Sequence, residues 1–379
     1  MSRRLLLLSS FLFLFETNIC AQEATYYVIV ASEAADTISA IRFNASGAVV
    51  DHEVATGIMP TDIDGPHGLA ISADKKTYYI SLAHGQPFGS VWKYSTIGDK
   101  LLGRVALGMF PATMDLSPDG DFLYVVNFNL HGDMVPSSVS VVETESMTEI
   151  ARIPTCAMPH GSRVSADGSR QYSVCMMDEQ LVEIDTARLR VSRHFILTKG
   201  REAGMAGAPM HTSTADHTPT AGHGTEPPKP GDVSCSPTWA QPAKTGSSVF
   251  VACNGSSDIV EIDRNTWKMV RRIPAGAGVY NLGITADGSK LIATNRRDQS
   301  VSVFDVTTGK ELARLKTKRK VVHGVAVSSD DRYAFISVEG IAADPGTVEV
   351  IDLRTLKIVA SVDVPPQAGG IDFWKKVGQ

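Results

Sequence analysis

Beyond residue 15 the chain has no apolar run near the roughly 18 residues that a membrane helix needs, so no later segment reads as a span. It also lacks a dominant charge. Lys and Arg number 36 against 41 Asp and Glu, a net charge of -5, which argues against a general polyanion-binding surface and against nucleic acid as a partner. No Gly-x-Ser-x-Gly elbow, phosphate-binding Walker loop or Cys-x-x-Cys-His haem site occurs, so no catalytic set is legible. A long helical pattern is missing throughout. Cysteine is sparse, 5 of 379 residues, and the chain is too long for a small disulfide scaffold.

What is present begins with Arg3 and Arg4, an apolar run over residues 5–15, and then Ile19-Cys20-Ala21. A charged start, a short apolar stretch and a small residue read as an export signal, residues 1–21, cleaved near Ala21. The bulk of Ile19 disfavours a lipoprotein reading of Cys20. Loss of Arg3, Arg4 and Glu16 leaves 34 basic and 40 acidic residues, a charge of -6. The expected mature domain is 22–379, periplasmic or secreted, with no transmembrane segment after cleavage.

One turn recurs: Ser72-Ala73-Asp74, Ser117-Pro118-Asp119-Gly120, Ser165-Ala166-Asp167-Gly168, Thr285-Ala286-Asp287-Gly288 and Ser328-Ser329-Asp330-Asp331. Turns of this kind suit tight hairpins. Alternating apolar runs follow each (78–82, 122–126, 172–175, 291–294, 333–338), then a second strand with an acidic end, as at Asp185, Asp263, Asp305 and Asp352. The turn acids are spaced 45, 48 and 43 residues apart, and the 120-residue gap from Asp167 to Asp287 holds one further unit plus an insertion at 198–231. Four short strands at this period are propeller blades. The chain starts with three strands (26–30, 37–43, 49–55) and ends with one, Gly369-Gly370-Ile371-Asp372-Phe373. Pairing the two ends completes one blade. The predicted fold is all-β, a seven-bladed propeller closed by its N- and C-terminal strands.

At Phe122-Leu123-Tyr124-Val125-Val126-Asn127 after its turn, and at Val301-Ser302-Val303-Phe304-Asp305 before Thr307-Thr308-Gly309-Lys310, the chain resembles the YVTN-repeat (YncE-like) propellers of exported proteins. The resemblance spans about residues 25–374. It implies a seven-bladed disc that binds at its channel mouth and supplies no catalytic set, because such propellers host unrelated functions.

The histidines map unevenly onto this plan. His67, His160 and His323 share one repeat position entering the innermost strand, each followed by glycine, and aligned blades carry Ala112, Tyr280 and Ala368 there. His84 and His131 follow second strands. His211, His217 and His223, with Met205 and Met210, lie in the 198–231 insertion, whose Ala, Thr, Gly and Pro content predicts a flexible segment. All these belong to one face, here called the top. His52 and His194 map to outer strands. Neutral imidazole and thioether suit transition metals, so the residues predict a metal site, copper before zinc. Affinity would fall as pH drops through about 6.5. The four remaining cysteines predict disulfides Cys156–Cys175 and Cys235–Cys253 on the same rim, with a Cys/His metal site using His160 as rival.

The functional expectation is an exported propeller that binds a metal ion or small ligand at the channel mouth. Two alternatives remain: a metal-free scaffold for a protein or cell-envelope partner on the rim, and a lactonase-like hydrolase using Asp62, Asp64, His67 and Arg297.

Overall fold

The computed structural model describes residues 24–57, 59, 62–84, 89–209 and 233–378. The expected signal segment lies outside these residues. So do Met210, His211, His217 and His223. Among the described residues no helix is long and apolar enough to cross a membrane.

The chain forms seven antiparallel sheets, one per blade. In blade 1 the C-terminal strand Ala368–Val377 pairs with Thr25–Ser32, which is followed by Thr37–Asn44 and Gly47–Ala55. Blades 2 to 7 occupy residues 66–106, 111–157, 159–206, 237–274, 279–316 and 322–364, each running from the channel outward. The predicted closure is therefore observed.

Burial explains the composition of each strand. Inner strands are covered on both faces, and Tyr78, Tyr79, Ile80, Ser81 and Leu82 are all buried. Outermost strands face solvent on one side, so Lys357–Val364 alternates exposed and covered residues. The cores lie between blades rather than within them. Val28 and Val30 of blade 1, for example, pack with Phe335, Val348 and Val350 of blade 7. The recurrent turn works through its side chains. Ser117 Oγ donates to Asp119 and accepts from Phe122 N, while Gly120 takes φ +82°.

Strand one of each blade is also tied to its neighbour. Thr113 Oγ1 donates to His160 O at 2.8 Å, Thr294 Oγ1 to His323 O at 3.0 Å, and Ser81 Oγ to Ala112 O at 3.0 Å. These close approaches account for glycine after the histidine. A Cβ at Gly68 would stand 1.9 Å from Ala112 O, and one at Gly161 2.4 Å from Thr238 O.

Both disulfides are formed, Cys156–Cys175 and Cys235–Cys253, with Cα separations of 5.8 and 4.4 Å. Cys156, at the end of the outermost strand of blade 3, is joined to Cys175 at the end of strand two of blade 4, whereas Cys235, two residues before strand one of blade 5, is joined to Cys253 at the end of strand two of the same blade. Bridging consumes the thiols, so the rival Cys/His metal site falls. Replacing either cystine pair with alanine is expected to cost about 3 kcal/mol, given loops of 19 and 18 residues. Thermal unfolding with and without reductant measures this; a variant unfolding at the wild-type midpoint refutes it.

Of the insertion, residues 198–209 lie among the described ones, and they include an element that its composition does not predict. Ala203–Ala206 forms a fifth strand on the outer edge of blade 4, pairing with Arg190–Ile196. Backbone pairing to an available edge offsets the ordering cost that the side chains cannot. Arg272 secures the same stretch through Glu202 and Leu197 O.

Candidate functional site at the channel mouth

Three repeat positions build the top of the channel. The first directly precedes strand one and adopts the left-handed conformation in every blade: Gln367, Gly65, Phe110, Met158, Ser236, Gly278 and Val321, with φ between 45° and 68°. Its carbonyl accepts from the N–H of the second position, the residue after strand two: Glu33, Ala83, Phe128, Met176, Asn254, Arg296 and Glu339. Left-handed backbone disfavours Val321 and Phe110, and the repeated hydrogen bond holds it in place. The third position is the second residue of strand one: Gly369, His67, Ala112, His160, Thr238, Tyr280 and His323. Gly369 thus takes the place expected for Ala368.

The fold gathers five histidines here. His67 and His323 stand on either side of blade 1, where Gly369 has no side chain, and their ring centroids are 5.7 Å apart. His84 lies 5.4 Å from His131, and Phe110 touches His67, His84 and His131 at 5.4, 5.0 and 5.5 Å. Phe128 is 4.8 Å from His160. Met109, Met158 and Met176 pack around Phe110 and Phe128, so these three thioethers serve as packing on the same face.

Glu33 organises one wall. Its Oε2 lies 2.6 Å from His67 Nδ1 and its Oε1 2.7 Å from His84 Nε2, linking blades 1 and 2. Burial pushes the Glu33 carboxyl up, but the charge and hydrogen bonds of His67 and His84 outweigh burial and hold it below the ordinary range. Burial lowers the proton affinity of His67; the Glu33 carboxylate overcomes this and raises it. The opposite wall is Arg296, Glu339, Tyr280 and His160. Arg296 Nη2 is 2.9 Å from Glu339 Oε1, and its guanidinium lies 4.8 Å over the Tyr280 ring. Burial pushes Glu339 up against the pull of Arg296. Tyr280 rises to about 12, mainly through burial.

The histidines differ in what they can offer. His160 is spent, because Nδ1 lies 2.8 Å from Thr238 O and Nε2 3.2 Å from Tyr280 Oη. It is buried, and burial depresses its proton affinity to about 3. His67 Nε2 and His323 Nδ1 are buried without a hydrogen-bond partner. Both residues line the channel waist with Asn281, whose Oδ1 is likewise unpartnered. His323 Nε2 faces Glu339 Oε1 at 3.7 Å, and burial, then the Arg296 cation, hold this imidazole well below its usual value.

Met205 does not reach this site. It sits opposite His194 on the outer edge of blade 4, because its strand pairs with the blade's outermost strand. Arg297 donates to Asn254 O at 2.8 Å, so Arg296 and not Arg297 supplies the cation facing the cluster. Glu33, Glu339 and the Arg296 role were not read from the sequence. The signal was the repeat position after strand two, where Glu33, Asn254, Arg296 and Glu339 alternate with Ala83, Phe128 and Met176.

Among the described residues no three His, Cys, Asp or Glu side chains are grouped as around a metal ion. No known family model matches the chain, and no curated relative matches it. Solved propellers do. A protein of unknown function from Desulfotomaculum acetoxidans superposes with a TM-score of 0.67 at 14% identity, over 92% of this chain and 98% of that one. A periplasmic gluconolactonase from Pseudomonas aeruginosa gives 0.66 at 16% identity over 92% and 99%. Hydrazine synthase of Kuenenia stuttgartiensis gives 0.61 at 21% over 83% and 91%. At these identities the likeness establishes the propeller fold.

Proposed function

We propose that this exported YVTN-type propeller captures a transition-metal ion, copper before zinc, at the top mouth of its channel, for sequestration or delivery rather than turnover. The supporting observation is the pairing of His67 with Glu33. Nδ1 is held by a carboxylate while Nε2 is buried without a partner. A carboxylate on the second nitrogen fixes a metal-binding imidazole's tautomer and raises its basicity. His323 offers Nδ1 with Glu339 beside its other nitrogen. Two disulfides are consistent with an oxidising compartment.

Calorimetric titration with Cu(II) and Zn(II), and with Cu(I) under reductant, tests this reading. Glu33→Gln is expected to weaken binding about 10–100-fold, and loss of both His67 and His323 to abolish it. Protons compete at His67, whose affinity for them is raised, so binding weakens as pH falls through that value. A double variant that binds as tightly as the wild type, or a wild type that binds neither metal, refutes it.

A second reading has its own observation. The Glu33–His67 and Glu33–His84 pairs face Arg296 and Glu339 across one mouth, offering acid–base groups and a cation to a lactone carbonyl. The fold is that of a periplasmic gluconolactonase. Hydrolysis of sugar lactones by metal-free protein, lost in Glu33→Gln, would favour it over metal capture.

A further inference from the structure

The opposite end of strand one forms a second ring of equivalent positions: Asp372, Ala70, Asp115, Arg163, Gln241, Gly283 and Ala326. Four neighbouring blades supply polar side chains to it, interrupted only by Ala70. Gly283 and Ala326 leave room on the remaining side. A cavity of about 280 Å³ opens there, between the turns that carry Lys244 and Ala286. It meets the narrow channel waist at Arg163 and Val325, so it lies at the end of the axis remote from the histidines.

The polar groups are fixed in place and only partly used. Asp115 accepts from Val164 N at 2.7 Å and Leu116 N at 3.2 Å; Asp372 accepts from Ile71 N at 2.9 Å and Phe373 N at 2.7 Å. Each carboxylate oxygen keeps a lone pair for an incoming hydroxyl. Arg163 lies 4.5 Å over Trp239, donates from Nη1 to Ser162 O, and retains further donors in its fork. Gln241 is buried and donates to Pro242 O at 3.0 Å. Asp331 on the wall is committed to Ala286 N and Asp287 N. Two carboxyl groups therefore face two cations, Arg163 and Lys244, over an apolar wall that includes Ile284 and Val325. Burial raises both Asp115 and Asp372 above the ordinary carboxylate range, which favours hydroxyl partners over a free cation.

We propose that this lower cavity is a second binding site, distinct from the histidine mouth, for a neutral hydroxyl-rich molecule the size of a monosaccharide or cyclic polyol. Balanced charge disfavours a strongly ionic ligand. Fixed acceptors beside guanidinium, ammonium and amide donors match alternating hydroxyls, and the apolar wall suits the C–H face of a ring. The volume lies at the small end of ligand pockets.

The test is calorimetric or NMR-detected binding of glucose, mannose and myo-inositol, with glycine and acetate as ionic probes, to the whole protein. Ala286→Trp plugs the cavity from an exposed position on its lining. At least one hydroxylated probe is expected to bind the wild type. Its affinity should drop about tenfold or more in Ala286→Trp and in Asp115→Asn, and stay unchanged in His323→Ala. The proposal is overturned if no hydroxylated probe binds, if Ala286→Trp binds as the wild type does, or if only glycine or acetate binds. Metal titration of the same variants reports separately on the upper mouth.

Discussion

A chain ending before Ala368 is expected to lose its cooperative unfolding transition. The strand Ala368–Val377 is the innermost strand of blade 1 and touches three blades. It buries Ile371, Phe373 and Trp374. Ser337 of blade 7 donates to Gly369 O, Ile71 N of blade 2 donates to Asp372, and Trp374 Nε1 donates to Lys75 O. Each large apolar side chain is worth about 1.5–3 kcal/mol, so three approach the whole stability of a domain, about 5–15 kcal/mol. Deletion also leaves Thr25–Ser32 as an open edge, which invites aggregation. Denaturant unfolding of the truncated protein measures the effect, and a synthetic peptide of residues 366–378 added in trans should restore part of the transition. A truncated protein that unfolds at the wild-type midpoint would show that closure by this strand is dispensable.

Acid should destabilise the ring from about pH 6.5 downward, before most carboxylates titrate. His160 and His323 have proton affinities depressed by burial, His160 to about 3. In the unfolded chain both take up protons near 6.5. Below that pH the unfolded state binds more protons, so stability falls by about 1.4 kcal/mol per pH unit for each histidine. For His160 the loss continues until the folded-state value of about 3 is reached. The Glu33–His67 pair behaves differently. The raised His67 contributes stability below its unfolded value that fades as pH rises through its folded one. The depressed Glu33 contributes above its unfolded value and is lost only at strong acid. Denaturant unfolding from pH 7 to 4 tests this: His160→Gln should flatten the slope by about one proton, and an unchanged slope counts against a buried neutral His160.

The repeat was legible because each blade uses the same local chemistry. The Asp-Gly type turns, strand alternation and the unpaired end strands depend on neighbours in sequence. The cystine pairs were readable for the same reason, since Cys156 and Cys175, and Cys235 and Cys253, bracket adjacent antiparallel strands. The His-Gly pairs were visible, but their cause was not: the glycine exists because the next blade's carbonyl occupies the Cβ position.

The sequence alone determined the period, the closure and the face to which the repeat-position histidines belong, because a propeller maps repeat position onto place in the disc. Tertiary structure decided which imidazoles stay available. Thr238 O and Tyr280 occupy His160, whereas Glu33 turns His67 so that one nitrogen faces the channel. Those partners arrive from other blades, 34 residues away in sequence for Glu33 and 120 for Tyr280, and no local pattern records which side chains a closed ring will bring into contact. Met205 shows the same limit: a soft ligand by composition became an edge-strand residue once backbone pairing carried it to the rim.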